Sequence, residues 1–149
     1  MTMISDSIEI SAPLDKVFDT ISHLEIMGQF SPENTGGSWV KGSSGPALGA
    51  RFRGTNSNGK KNWSTAVRVS TYEPSSSFAF LVSVGPAKVA QWSYHLESCP
   101  DGTKVTESWT DQRSSLSKRM SKGIVSDREA FTLTSIRTTL EKLKAHLEA

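Results

Sequence analysis

Residues 91–111, QWSYHLESCPDGTKVTESWTD, can pair with themselves in essentially one way. Cys99-Pro100-Asp101-Gly102 reads as a tight turn: proline presets the first bend position, aspartate tolerates the second, and glycine supplies the positive φ that closes it. Pairing Ser98 with Thr103 then sets Trp92 opposite Trp109, Tyr94 opposite Glu107 and Leu96 opposite Val105, all on one face. Gln91, Ser93, His95, Glu97, Thr106, Ser108 and Thr110 fall on the other. A slip of one residue would mix the two sets, so the alternation selects the register. The hairpin therefore offers one polar face and one aromatic, apolar face with a single carboxylate in it.

Upstream, the same alternation recurs. Ser7 to Ser11 reads as a first strand carrying Ile8 and Ile10. Pro13 at the first helical position and Asp15 in the first turn open a short amphipathic helix to about His23, with Val17, Phe18, Ile21 and Leu24 on its apolar side. A second helical piece, Glu25 to Phe30, ends before Pro32. Ser31 to Asn34 and Gly36-Gly37 read as loop, and Trp39-Val40 as a short strand before the 42–46 turn. From Leu48 onward the pattern is nearly all strand. Asn58-Gly59 predicts a two-residue hairpin turn pairing Ser57 with Lys60. That register places Gly54 opposite Trp63, Phe52 opposite Thr65 and Ala50 opposite Val67. Leu48, Ala50, Phe52, Trp63, Val67 and Val69 then share one face, and Arg51, Arg53, Ser64 and Arg68 the other. After a turn at Tyr72 to Ser75, Phe78, Phe80 and Val82 continue the apolar side, and Gly85-Pro86-Ala87 leads into the hairpin described first.

Beyond Asp111 the period changes. Gln112 to Gly123 is polar and basic, either a loop or a poorly formed helix. Leu133, Ile136, Leu140, Leu143 and Leu147 then alternate three- and four-residue steps, the stripe of a long helix from about Ile124 to Leu147. An antiparallel sheet with one greasy face needs a cover, and this helix supplies it. The expected fold is α+β: a curved seven-stranded antiparallel sheet, two short helices after the first strand, and a long C-terminal helix across the concave face, the helix-grip arrangement. At 149 residues the chain is expected to form one domain spanning 1–149.

Several function classes are set aside. A formal charge of +2 with 21% charged residues advertises no nucleic-acid partner. The lone Cys99 makes no internal disulfide, the N-terminal residues show no leader pattern, and no stretch is long and apolar enough for a membrane span, so a cytoplasmic location is expected. His23, His95 and His146 are not spaced as metal ligands, and neither a phosphate loop nor a nucleophile elbow is present, so no metal and no cofactor are expected.

Certain residues carry a specific resemblance. They are Ile8-Glu9-Ile10-Ser11-Ala12-Pro13 with Val17-Phe18, Phe52 through the Asn-Gly turn to Trp63, and Glu73-Pro74 with Phe78-Ala79-Phe80. Trp92-Ser93-Tyr94 and Gly102 to Ser108 complete them. With these the chain resembles the polyketide cyclase/dehydrase and lipid-transport (SRPBCC) branch of the START/Bet v 1-like superfamily. The resemblance covers nearly everything except 112–123. It implies a helix-grip fold with a pocket between sheet and helix; members include ligand carriers, cyclases, hydrolases and co-chaperone domains, so it leaves activity open.

Candidate site residues follow from the inward face. Phe52, Trp63, Phe80, Trp92, Tyr94 and Trp109 form the expected wall, with Phe131 and Met27 near the mouth; core packing is the alternative for each. Glu107 lies between Val105 and Trp109, where desolvation raises its pKa. It is either a structural carboxylate satisfied by Tyr94, an indole N–H or Arg128, or a functional group. Three readings remain. The first is a binding module holding a hydrophobic, lipid- or polyketide-like small molecule, with Glu107 fixing one polar group. The second is a cyclase/aromatase-like enzyme with Glu107 and Tyr94 moving protons. The third is an interaction protein, since relatives include one half of a toxin–antitoxin pair. Monomer and homodimer both remain open.

Overall fold

The computed structural model describes residues 2–121 and 127–149. One seven-stranded antiparallel sheet forms from β1 (Met3–Ile10), β2 (Asn34–Val40), β3 (Arg51–Ser57), β4 (Asn62–Glu73), β5 (Ser77–Val84), β6 (Ala87–Cys99) and β7 (Gly102–Asp111). The spatial order is β1-β7-β6-β5-β4-β3-β2, so the first strand joins the last at one edge of a consecutive meander. The helices are α1 (Leu14–Ser22), a 3₁₀ turn (Leu24–Gln29), α2 (Ser115–Ser121) and α3 (Arg128–Glu148).

The hairpin of β6 and β7 has the expected register, Ser98 with Thr103 through Trp92 with Trp109. The turn between β3 and β4 does not. Ser57 pairs with Asn62, not Lys60, because residues 58–61 make a four-residue turn. Asn58 Oδ1 accepts from the backbone N–H groups of Lys60 (3.0 Å) and Lys61 (2.8 Å), and this side-chain mimicry of a turn displaces the two-residue form. The shift is two residues, so every side chain keeps its face while every partner changes. Gly54 lies opposite Thr65 and Phe52 opposite Val67, and a Cβ on Gly54 would stand 2.9 Å from Thr65 Oγ1 rather than against an indole. Leu48, expected in the inward set, lies ahead of β3 and is exposed.

Residues 34–37, read as loop, belong to β2. The strand survives its glycines through a bulge between Asn34 and Gly36, with φ of 116° at Gly36 and 146° at Gly37. At Gly37 a Cβ would meet Arg53 O at 2.1 Å and the Phe52 ring at 2.7 Å. Gly37→Ala is therefore expected to cost about 2 kcal/mol, read as a lowered urea midpoint at unchanged slope.

α1 buries Val17, Phe18 and Ile21 against one end of the concave face, where the Phe18 ring meets Tyr72 and Phe78 edge-on at 5.5 and 6.3 Å between centroids. It starts at Leu14, with Pro13 as extended N-cap rather than first helical residue. α3 begins at Arg128, capped by Asp127, whose side chain accepts from Ala130 N at 3.1 Å. The expected start at Ile124 lies outside the described residues. Ile136, Leu140, Leu143 and Leu147 are buried as the stripe requires, but Leu133 is exposed. On the first half of α3 the inward positions are instead Thr132, Ser135 and Thr139. Leucines thus grip the sheet toward the C-terminal end of the helix, while small hydroxyl side chains stand off from it toward the other.

Candidate functional site

The stand-off leaves a cavity of about 130 Å³ between the sheet and the first half of α3. Alternation along β3 to β7 points Phe52, Trp63, Phe80, Trp92, Tyr94, Glu107 and Trp109 into its lining, with Ser135 and Thr139 of α3 on the opposite side. Met27 of the 3₁₀ turn also lines it. Phe131 does not: its half-buried ring lies under the Arg128 guanidinium, 5.4 Å from Cζ to centroid.

At the centre stand Tyr94 and Glu107, directly opposed across β6 and β7 and both 2% exposed. Tyr94 Oη donates to Glu107 Oε2 at 2.9 Å. Glu107 Oε1 is buried with no hydrogen-bond partner among the described residues. Burial pushes the Glu107 carboxyl up to about 8, opposed in part by the Tyr94 hydrogen bond. The Tyr94 phenol is held well above its ordinary value by the same burial and then by the neighbouring carboxylate. Arg128, one of the expected partners of Glu107, instead binds Glu33 Oε1 at 2.9 Å.

That ion pair also borders the cavity, and Glu33 Oε2 is a second buried oxygen there with no partner among the described residues. Arg113, the first basic residue of the 112–123 stretch, is largely buried, with 9% of its side chain exposed. Its guanidinium is folded inward 5.8 Å from the Trp109 ring centroid, and its Nε and Nη2 donate to the two Asp111 oxygens at 2.9 and 2.8 Å. Burial pushes the Asp111 carboxyl up, but hydrogen bonds and charge from Arg113, with Lys118 adding charge, outweigh it and hold it below the ordinary carboxylate range. Sequence reasoning missed Ser135, Thr139 and Glu33. A signal existed for the first two: Ser135 and Thr139 are themselves at helical spacing, immediately beside Ile136 and Leu140.

The family model described as polyketide cyclase/dehydrase and lipid transport matches residues 1–148. The chain belongs to this family. Among solved structures, a polyketide-cyclase-like protein from Corynebacterium glutamicum is 28% identical, with 98% of this chain covering 91% of that one at a TM-score of 0.62. The di-domain ARO/CYC protein BexL of the BE-7585A biosynthetic pathway is 17% identical over 99% of this chain and 50% of its own, at 0.74. Major latex-like protein 151 of Panax ginseng is 13% identical over 98% of this chain and 97% of its own, at 0.71. The last two share the helix-grip fold at low identity. No curated protein matches the sequence. Among the described residues no helix is long and apolar enough to cross a membrane, and no cluster of histidine, cysteine and carboxylate side chains is arranged to hold a metal ion.

Proposed function

We propose that the protein holds a small, largely apolar ligand between the sheet and α3, with Trp63, Phe80, Trp92 and Trp109 as its wall and Glu107 fixing one polar group. The observation that carries this is the unpartnered Glu107 Oε1, a buried polar atom facing a cavity instead of a protein partner. Size bounds the ligand. An apolar cavity of ~150 Å³ accommodates benzene, so about 130 Å³ suits one ring with a short substituent. The ~300–1,000 Å³ of a drug-sized pocket is reached only if α3 or the 3₁₀ turn moves outward. The family description, lipid transport included, agrees with an apolar occupant.

A second reading rests on the Tyr94–Glu107 couple, a hydrogen-bonded acid–base pair inside the cavity and so a candidate proton relay in a cyclisation or dehydration. The two readings separate at Glu107→Gln, which a carrier tolerates and a proton-transfer enzyme does not.

Native mass spectrometry of the purified protein, followed by denaturing extraction, tests the first reading. A small apolar molecule is expected to co-purify, and Trp92→Ala is expected to weaken its retention about tenfold or more through lost contact area. An unliganded mass, together with no thermal shift across a panel of apolar one-ring and two-ring compounds, would sink it.

A further inference from the structure

The Glu107 carboxyl must either find a countercharge or give up its own charge, and the surrounding groups decide which. On β7 itself the next inward residue is Trp109, then Asp111, which is held by Arg113. Lys118 of α2 stands 3.8 Å from that same Asp111. Across the β1–β7 pair lies Asp6, whose carboxylate is bound by Arg137 of α3 at 3.2 Å. Across the β6–β7 pair lies Tyr94. From α3 come the hydroxyls of Ser135 and Thr139, while Arg128 is committed to Glu33. Glu107 makes no salt bridge with any described residue, and its hydrogen bond comes from the neutral Tyr94 hydroxyl. An uncompensated buried anion costs several kcal/mol, and a carboxyl in that position keeps its proton.

The hydrogen bond already present then locates that proton. Tyr94 Oη is buried and has Oε2 as its one hydrogen-bond partner among the described residues, so the phenol hydrogen points to Oε2; with that oxygen accepting, the acid hydrogen belongs on Oε1. The unpartnered atom is thus an O–H donor facing the cavity, and what it lacks is an acceptor.

We infer that Glu107 serves the cavity as a neutral acid whose Oε1–H donates to the ligand, so the ligand is an apolar molecule carrying an uncharged acceptor oxygen, such as an aryl ketone, rather than an amine or other cation. This rests on the ligand-pocket reading above and specifies its polar contact. It also makes binding depend on pH. Raising the pH past about 8 removes the proton, turns the donor into a charged acceptor, and repels the same ligand oxygen.

Three probes on one skeleton test the inference: acetophenone, ethylbenzene and 1-phenylethylamine, titrated calorimetrically against the whole protein at pH 6.5 and pH 9. At pH 6.5 acetophenone is expected to bind about tenfold more tightly than ethylbenzene, the worth of one buried hydrogen bond, and the amine most weakly. At pH 9 the ketone preference disappears. Glu107→Gln, whose amide still accepts from Tyr94 and still donates to the cavity, keeps the preference at both pH values. Glu107→Leu loses it while still binding ethylbenzene. Equal affinity for acetophenone and ethylbenzene at pH 6.5 overturns the inference and leaves the apolar pocket standing. So does tightest binding of 1-phenylethylamine, abolished by Glu107→Gln, which would mark a carboxylate anion. Failure of all three probes to bind would count against the pocket reading itself, and the inference would fall with it. Infrared difference spectra give a ligand-free check. A protonated-carboxyl band should persist at pH 7, vanish above about pH 8, and be missing in Glu107→Gln.

Discussion

Glu107→Gln is expected to leave stability nearly unchanged at pH 4 and to raise it by about 4 kcal/mol at pH 8, a difference that grows steadily between. The sign follows from where the proton sits. In the unfolded chain this carboxyl titrates at its ordinary 4.5, and in the folded chain at about 8. Between those values the folded state binds the extra proton, so unfolding releases it and the free energy of unfolding falls by up to about 1.4 kcal/mol per pH unit. The stabilisation is complete below the unfolded value and is lost as pH rises through the folded one. Glutamine has no proton to lose, keeps the Tyr94 contact, and removes the slope. Paired thermal melts of the two proteins from pH 4 to 9 read this directly, and for a chain of 149 residues the separation at pH 8 is on the order of ten degrees. Parallel curves across that range would mean that Glu107 is ionised in the folded protein at neutral pH.

Asp111→Ala is expected to cost about 3–5 kcal/mol. Asp111 is 3% exposed, and removing its carboxylate leaves the inward-folded Arg113 guanidinium without the two oxygens that bind its Nε and Nη2. The loss is expected to reach the cavity as well, because Arg113 lines it and lies against Trp109. Replacing both members, as Asp111→Leu with Arg113→Met, should recover part of the stability, since it also removes the guanidinium that the single substitution leaves without those two oxygens. Denaturant titration of the single and double variants decides it: a single-variant cost below about 1 kcal/mol would place the pair in the solvent-screened class. The Asp111 carboxyl titrates below its ordinary range, so its contribution is present at neutral pH and lost as pH falls through that lowered value. Opposed by Glu107 from the alkaline side, it places maximum stability at mildly acidic pH.

The strand pattern and the fold were legible because side-chain alternation carries its own check: a wrong register at the β6–β7 hairpin would bury Glu97 and expose Trp92. Where that check was silent the reading slipped. At Asn58-Gly59 a shift of two residues preserves both faces, so nothing in the hydrophobic pattern separates a two-residue turn from the observed four-residue one; the Asn58 side chain does. Gly36 and Gly37 read as loop because a bulged edge strand needs the same backbone freedom that a loop does. Within the site, the Tyr94–Glu107 contact was visible as a cross-strand pair. The inward turn of Arg113 was not, because it depends on a bidentate contact two residues away that a charge pattern does not encode. Phe131 and Met27 are both expected near the mouth; Met27 lines the cavity, while Phe131 packs under Arg128, itself a lining residue.

The partners of β1 lie at the far end of the chain: Met3 pairs with Thr110 and Ile10 with Thr103, roughly a hundred residues later. During synthesis this strand emerges before the rest of the sheet and waits as an open edge until β7 is made, exposed to wrong pairing in the meantime. Closing so long a loop before any contact rewards it makes folding slow for a chain of this size. The cavity is completed later still, since Ser135 and Thr139 arrive with α3. Until then the half of the concave face beyond α1 lacks the helix that closes it, so the cavity exists only once the last element is in place.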